Sequence, residues 1–261
     1  MKKHIIAISA LAVALCASAQ NEDYNRVGIS FDHTGYSFNN EMKVLVGYDG
    51  DKHLMKGIGA NGFGINYIHG FSLTESVPLY LEAGANINFM FGSKKAYESQ
   101  YYKSTVKGSD INMQIPVNLA WKFNVNEDFA VTPYVGINFK LHFATKFKVE
   151  ELDKEDGTTW KSPSYSVYSS EDWAKYDDGW EPGDEPVSQE DKDACDDLKW
   201  NRFQMGWQIG VGFQYKPVYL GVQWGTDFIP AYSHNFKDEI GVDYKCKVNT
   251  NNLKVTLGYC F

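Results

Sequence analysis

Four kinds of pattern are missing from this sequence, and each absence excludes a class of protein. Beyond the N-terminus, no stretch reaches the roughly 18 consecutive apolar residues that a membrane helix needs. Acidic residues outnumber basic ones, 33 to 25, for a formal net charge of −8, and no basic patch stands out, so we expect no nucleic acid partner. No Cys-x-x-Cys or mixed Cys/His spacing indicates zinc, and no segment has the period of an amphipathic helix.

The N-terminus carries the pattern of a secretory signal peptide. Two lysines precede an apolar stretch at 5–15, and a run of small residues follows it. We therefore predict cleavage at the Ala19–Gln20 bond, which leaves residues 20–261 as a single mature domain. A lipoprotein anchor at Cys16 is the alternative, but Leu15 stands where a small residue is normally required.

Eight segments alternate strictly between apolar and polar residues, as strands with two different faces do. Within residues 110–123, for example, Ile111 and Trp121 fall on one face, whereas Asn112 and Lys122 fall on the other. The predicted strands cover residues 24–34, 57–71, 79–92, 110–124, 129–147, 202–216, 218–229 and 251–261.

The lengths of the connections alternate as well. Those after the second, fourth and sixth strands are short, whereas those after the first, third, fifth and seventh are long and polar. The third of these long connections runs from about residue 148 to residue 201. Short turns at one end and long loops at the other are typical of an outer-membrane barrel with both termini in the periplasm.

The two faces of the strands differ as they would in a barrel whose outer side meets lipid. Val135, Ile137 and Phe139 alternate with glycine and asparagine, and aromatic residues gather at both ends of the predicted strands, as interface girdles do. Pro116 and Pro133 each remove a ladder hydrogen bond. We therefore predict a β-bulge near Pro116 and place Pro133 near the periplasmic start of its strand.

Short stretches of the chain resemble a known family. They are Ile115-Pro116-Val117, Pro133-Tyr134-Val135-Gly136, Tyr219-Leu220-Gly221-Val222 and the terminal Phe261. Together they resemble small bacterial outer-membrane barrel domains of the PorT-like porin family, and the architecture is similar to that of OmpA- and OmpX-type barrels. The resemblance implies an all-β, eight-stranded antiparallel up-and-down transmembrane barrel of a Gram-negative cell. It also implies insertion by the outer-membrane assembly machinery, which reads a C-terminal aromatic residue such as Phe261.

The interior of an eight-stranded barrel is just wide enough for side chains to fill, so we expect no wide solute pore. Arg26, Glu82 and Lys122 would lie inward near the periplasmic end. Because an unpartnered buried charge is costly, we predict an ion-paired cluster around Glu82, with Glu82 as the partner of Lys122. The cluster could be a static polar core or a gate that passes ions. Further inward charged or titratable residues would lie higher: Asp32, Lys140, His142 and Lys254.

The third long connection is strongly acidic, since 17 of the 33 acidic residues lie between residues 148 and 199. Carboxylates suit a calcium ion, but the spacing of a calcium-binding loop is missing, so we predict no metal. Seven Trp and Tyr residues in the same segment indicate that it folds, either as a cap on the barrel or as a binding surface. Cys195 there and Cys246 in the fourth long connection would both face the exterior, so they either form a disulfide or remain thiols. Cys260 would be a lumenal thiol.

Catalytic candidates are few. Ser233 and His234 are adjacent, but they depart from the His-x-Ser-Asn order of outer-membrane lipid A deacylases. We therefore predict a monomeric, non-enzymatic barrel without cofactor, whose partners are outer-membrane lipid and the assembly machinery. Its extracellular loops would serve envelope integrity or bind an extracellular ligand. A narrow porin-like channel and a soluble periplasmic barrel that binds an apolar ligand are the alternatives.

Overall fold

The computed structural model describes residues 22–39, 59–177, 179, 183–237 and 243–261. The predicted signal peptide lies outside these ranges. Within them the strands are β1 (Tyr24–Phe38), β2 (Gly59–Ser72), β3 (Leu79–Glu98), β4 (Tyr102–Trp121), β5 (Phe123–Asn124), β6 (Phe129–Asp153), β7 (Thr159–Lys161), β8 (Tyr165–Ser166), β9 (Phe203–Tyr215), β10 (Val218–Ile229), β11 (Tyr232–Lys237) and β12 (Asp243–Cys260). The helices are α1 (Ser170–Asp177), α2 (Gln189–Ala194) and a 3-10 turn at Asp196–Leu198. None of these helices has the length and apolar character needed to cross a membrane.

Eight of the strands form a closed antiparallel barrel. Each is hydrogen-bonded to the next in the order β1–β2–β3–β4–β6–β9–β10–β12, and β12 returns to pair with β1. The closing ladder keeps one register from the Arg26–Cys260 pair to the Phe38–Val248 pair. This closure leaves no open edge in the barrel wall, and it confirms the predicted eight-stranded up-and-down fold.

The predicted strands are correct at one end of the barrel and too short at the other. We name the end with the short connections 73–78, 122–128 and 216–217 the turn end, and the opposite end the loop end. At the loop end β3 and β4 continue to Glu98 and Tyr102, so the predicted second long loop is wrong and is instead an extended β-hairpin. The fourth long connection is also paired, because β11 runs antiparallel to the start of β12.

The barrel is apolar outside and polar inside. Large apolar side chains point outward and remain accessible; Ile65 keeps 65% of its surface and Ile29 keeps 62%. The fully buried inward side chains are instead polar in most cases, among them Glu82, Asn86 and Gln208. This is the reverse of a soluble barrel, in which the apolar faces would form the core.

Outward aromatic side chains gather at the two ends of the wall. Those near the turn end are Phe71, Phe213, Tyr215, Tyr259 and Phe261, and those near the loop end are Phe31, Phe91, Phe143, Phe203, Trp224 and Phe228. Two such bands are the arrangement that membrane barrels place at the two interfaces of a bilayer.

Pro116 does not produce the bulge that we predicted. It pairs with Asn138 of β6, and the register does not change there. The register between β4 and β6 shifts instead between Ile111 and Asn112 of β4, where Phe143 of β6 has no opposite residue. On the other side of β4, the ladder with β3 lacks a pair at Pro116 but resumes in the same register. The ring nitrogen has no proton to donate, so a bond is lost without any displacement of the strand.

Gly84 in β3 occupies a position with no room for a side chain. A Cβ atom there would lie 2.0 Å from the carbonyl oxygen of Tyr67 in β2, and backbone cannot move aside as a flexible side chain can. We expect Gly84→Ala to distort the β2–β3 ladder and to lower the free energy of unfolding by about 1–3 kcal/mol, measured by urea titration of the protein refolded in detergent micelles. Gly108→Ala in β4 is the control, because its Cβ would meet only the Lys146 carbonyl oxygen at 3.7 Å. An equal loss in both variants would contradict this account.

Candidate functional site

Glu82 is the centre of the polar interior near the turn end. Its side chain is completely buried, and its oxygens accept hydrogen bonds from Tyr24 Oη at 2.5 Å, Arg26 Nη1 at 3.2 Å and Asn118 Nδ2 at 3.1 Å. The Arg26 guanidinium also lies 3.9 Å from the centre of the Tyr219 ring. Strand alternation places all of these side chains on the inner face, and the register brings them to one level. These three donors hold the Glu82 carboxylate in place.

The structure brings together two of the three residues that we expected to cluster. Arg26 and Glu82 form the ion pair, but Lys122 does not join it; the Lys122 ammonium lies 5.0 Å from the centre of the Tyr24 ring. Glu82 is paired across the sheet with Asn118, and Lys122 follows four residues later, roughly 13 Å further along at about 3.3 Å per residue. The expected Lys122–Glu82 pair is therefore wrong, because Lys122 lies at the rim of the turn end.

A chain of side-chain hydrogen bonds crosses the lumen from the Glu82 site. Gln208 Nε2 donates to Asn118 Oδ1 at 2.5 Å, and Gln223 Nε2 donates to Gln208 Oε1 at 2.8 Å. Tyr134 Oη donates to Gln223 Oε1 at 3.4 Å and completes the chain. The chain connects β4, β6, β9 and β10, which are consecutive strands of the wall, and Asn118 links it to Glu82 of β3.

Three further charged or titratable pairs lie nearer the loop end. They are Lys254–Asp32 at 3.2 Å, Lys140–Asp227 at 2.7 Å and His142–Asp110 at 2.8 Å. Our sequence analysis placed both lysines, the histidine and Asp32 inward, but it overlooked Asp110 and Asp227. In the apolar–polar alternation of their strands, both aspartates occupy inward positions, so this alternation could have identified them. The partners of these aspartates could not be assigned from the pattern of a single strand, because each pair joins residues of two different strands.

The space left among these side chains is very small. A cavity of about 10 Å³ lies between Asp110, Lys140, His142 and Thr250, which is room for about one water molecule. His142 Nε2 has no hydrogen-bond partner among the described residues and lines this cavity. At this level the lumen is therefore filled by side chains.

Residues 159–200, which we name the cap, cover the loop end. β7 and β8 pair with the outer part of β6, beyond the point where β9 begins. Phe147 of β6 packs against Tyr165, Trp173 and Tyr176 of the cap, with ring centres 5.1 to 5.6 Å apart. The aromatic residues of this acidic segment thus form a small core, which explains how the segment folds.

The cap also contacts the β11–β12 hairpin across the mouth of the barrel. Trp200 lies edge-on to Tyr36 of β1 with ring centres 5.9 Å apart, and Tyr232 Oη donates to the Asp197 carbonyl oxygen at 3.0 Å. Within the cap, hydrogen bonds from Lys175 and then Lys192 lower the pKa of Glu171. The contacts of Trp200 and Tyr232 thus attach the cap to β1 and to the β11–β12 hairpin.

Cys195 and Cys246, which we considered as a disulfide pair, are both buried. Cys195 is buried with Ala174 and Val187 beside the cap helices, whereas Cys246 is buried in a separate cluster that includes Ala231. A disulfide requires Cα atoms within about 7 Å and facing side chains. The two cysteines each fill a different apolar core, which the sequence spacing could not reveal.

The one candidate nucleophile–base pair is not assembled. Ser233 and His234 are consecutive residues of β11, and consecutive strand residues point to opposite faces. His234 Nε2 instead lies 3.3 Å from an Asp197 carboxylate oxygen. Across the described ranges, no three His, Cys, Asp or Glu side chains are grouped as a metal site would require.

These features define a class of protein: an eight-stranded barrel with an apolar exterior, an ion-paired and filled lumen, and a folded cap at one mouth. The model of the outer membrane protein beta-barrel domain matches residues 6–261, so the chain belongs to this family of bacterial outer-membrane proteins. The match does not distinguish the narrower PorT-like group.

Solved structures of small outer-membrane proteins are similar to this chain. Ail, the attachment invasion locus protein of Yersinia pestis, is 12% identical over 92% of this chain and 99% of its own, with a TM-score of 0.33. OprG from Pseudomonas aeruginosa is 11% identical over 94% and 98%, with a TM-score of 0.35. Neisserial surface protein A is 12% identical over 90% and 96%, with a TM-score of 0.30. At these identities the similarity concerns the fold alone. A comparison with curated protein sequences gives no match.

Removal of the Glu82 charge tests the role of the buried cluster. Glu82→Gln keeps the shape but leaves the Arg26 charge without its ion-pair partner, so we expect a loss of about 3–5 kcal/mol in the free energy of unfolding, measured by urea titration in micelles. The double variant Arg26→Met/Glu82→Gln should recover part of this loss, since it removes both charges.

Glu98→Gln is the matched control at the exposed tip of the β3–β4 hairpin. Hydrogen bonds from Lys95 and Lys154 lower the pKa of Glu98 to about 2, so the Glu98 side chain is ionised and paired at neutral pH. Because water screens that pair, its loss should change stability far less. A Glu82→Gln variant as stable as Glu98→Gln would contradict the proposed importance of the buried pair.

Proposed function

We propose that this protein is a non-enzymatic β-barrel of the bacterial outer membrane that is closed to solutes and holds a folded cap at the cell surface. The filled lumen is the observation that carries this proposal. Hydrogen bonds join Glu82, Asn118 and Gln208 inside the barrel, and three further pairs lie nearer the loop end. The barrel would then act as an anchor, and the cap would act as the part that meets other molecules.

The orientation follows from the two ends of the barrel. Short turns belong in the periplasm, and long segments face outward in proteins of this architecture. Phe261 is exposed at the turn end, and its backbone N–H donates to the Asn25 carbonyl oxygen at 2.9 Å. Its ring therefore stands at the seam between the first and last strands, where the assembly machinery could recognise it.

The cap suits an interaction surface. It is rich in acidic residues, and Trp160 and Tyr176 keep 45% and 42% of their surface exposed. Exposed aromatic rings on a rigid support are typical contact residues for protein and carbohydrate partners. An extracellular ligand for the cap and a purely structural role in the envelope both remain consistent with a closed barrel.

The two alternative functions are less well supported. A narrow channel would need a continuous path, but the cavity between Asp110, Lys140 and His142 has room for about one water molecule. A soluble periplasmic barrel would need a polar exterior, whereas Ile29, Ile65 and Leu257 keep more than half of their surfaces exposed. Such a surface matches lipid better than water.

The closed lumen gives a direct prediction. The purified wild-type protein, inserted into planar lipid bilayers, should show no discrete conductance steps under conditions in which a porin conducts. The reason is that ion pairs and hydrogen-bonded side chains lie inside the barrel at several levels. Reproducible ion-selective steps from wild-type protein would overturn the closed-barrel proposal and favour the channel.

Surface display of the cap can be tested with an inserted epitope. Gly157 lies in the turn after β6 and has a φ angle of 75°, and the residues of this turn are exposed. We expect an epitope inserted after Gly157 to bind antibody on intact cells. The same epitope inserted after Asn126, in a turn-end connection, should bind only after the outer membrane is opened. Labelling of both insertions on intact cells, or of neither, would contradict the orientation.

A further inference from the structure

A cluster of lysines lies on the outward face of the wall near the loop end, and no part of the closed-barrel proposal uses it. We name the cluster the lysine patch: Lys103 and Lys107 of β4, and Lys146 and Lys148 of β6. Lys107 is directly opposite Lys148, and Lys146 is opposite Ser109. Because outward residues recur every second position, the four side chains share one face of two adjacent strands.

The lysine patch has too few carboxylates to balance it. Glu150 lies 2.6 Å from Lys107 Nζ and 3.2 Å from Lys148 Nζ, so a single carboxylate serves both. Lys103 and Lys146 make no ion pair with any described residue. Like charges directly opposite each other destabilise a sheet, so this arrangement favours an additional anion. It is also unexpected in an acidic chain, since the carboxylates are concentrated in the cap.

The lysine patch begins where the apolar exterior ends. Phe91, Ser109 and Lys146 form one cross-strand row, so an exposed aromatic residue and a lysine stand at the same level. The next outward row toward the turn end contains Ile111 and Ala144. The lysine stems can therefore cover apolar surface while their ammonium groups reach the level of lipid headgroups.

We propose that the lysine patch binds the phosphate groups of a phosphorylated glycolipid in the outer leaflet of the membrane. The inference rests on the proposed membrane location, and it assigns a lipid partner to one side of the barrel. Neighbouring outward rows are about 6.6 Å apart along a strand, and adjacent strands about 4.8 Å, so several ammonium groups can surround one phosphate. The patch continues the lipid-facing wall, and lipid rather than protein therefore occupies the space next to it.

Titration of the intact barrel with lipid A tests this assignment. Binding would be measured by native mass spectrometry in detergent, with lipid A that carries its phosphates and with the same lipid after dephosphorylation. We expect wild-type protein to prefer the phosphorylated form by roughly tenfold or more, since each lysine near an anionic lipid contributes about a fivefold gain in affinity. The variant Lys107→Gln/Lys146→Gln/Lys148→Gln should lose this preference.

The matched control removes the same number of charges elsewhere. Lys192→Gln/Lys199→Gln/Lys216→Gln changes two cap lysines and one at the turn end, and it should keep the wild-type preference. All variants would first be checked for the folded band in unheated gel electrophoresis. If the lysine-patch variant is folded and still prefers phosphorylated lipid A, the proposal is overturned. Complete displacement of lipid A by an equal concentration of inorganic phosphate would also overturn it, because the ligand would then be a free anion.

The result can be separated from the test of membrane location. Cell fractionation that finds the protein in the soluble periplasm would reject the proposed function, and with it the lipid site. A protein that remains in the outer membrane and whose lysine-patch variant binds like wild type would reject the lipid site alone.

Discussion

A charge that is removed from water requires a partner, and the interior of this barrel is organised by that requirement. Because the outer face between the two aromatic bands is apolar, the polar residues in this part of the barrel strands point inward, where most of them pair with one another. Glu82 accepts hydrogen bonds from Tyr24, Arg26 and Asn118. The three charged or titratable pairs nearer the loop end likewise place each group next to a partner of opposite charge or hydrogen-bonding character. Glycines permit this crowding where backbone approaches closely, as at Gly84. The polar interior is thus the counterpart of the apolar exterior.

Much of this architecture could be predicted from the sequence, because the pleat of a strand imposes a period of two. In residues 110–121 each residue is assigned to a face by its parity alone, and the short connections give the order of the strands. Height within the barrel is a different matter, since it depends on the register between neighbouring strands. Lys122 has the correct face but lies too far from Glu82, which pairs with Asn118. Asp110 and Asp227 show the same limit, because their partners lie on other strands.

The loop end was harder to predict for a physical reason. Above the apolar band, strands no longer need an apolar face, so residues 93–109 lose the pattern that identifies a strand although the backbone pairing continues. The cap depends on contacts between distant residues, such as Phe147 with Trp173. Two cysteines illustrate the point, because Cys195 of the cap and Cys246 of β12 belong to different apolar clusters. Composition indicated that the segment folds, but it could not indicate which surfaces would meet.

Closure of the wall has a consequence for the order of folding. β1 pairs with β12, so the first barrel strand to be synthesised can form this ladder only after the last strand is available. The Arg26–Cys260 pair, for example, joins residues from the two ends of the described chain. Contacts between such distant residues carry a large entropic cost and form late. Until they form, the inward charges remain in contact with water through the open seam. Most of that water must therefore leave the interior by the time β12 pairs with β1 and completes the wall.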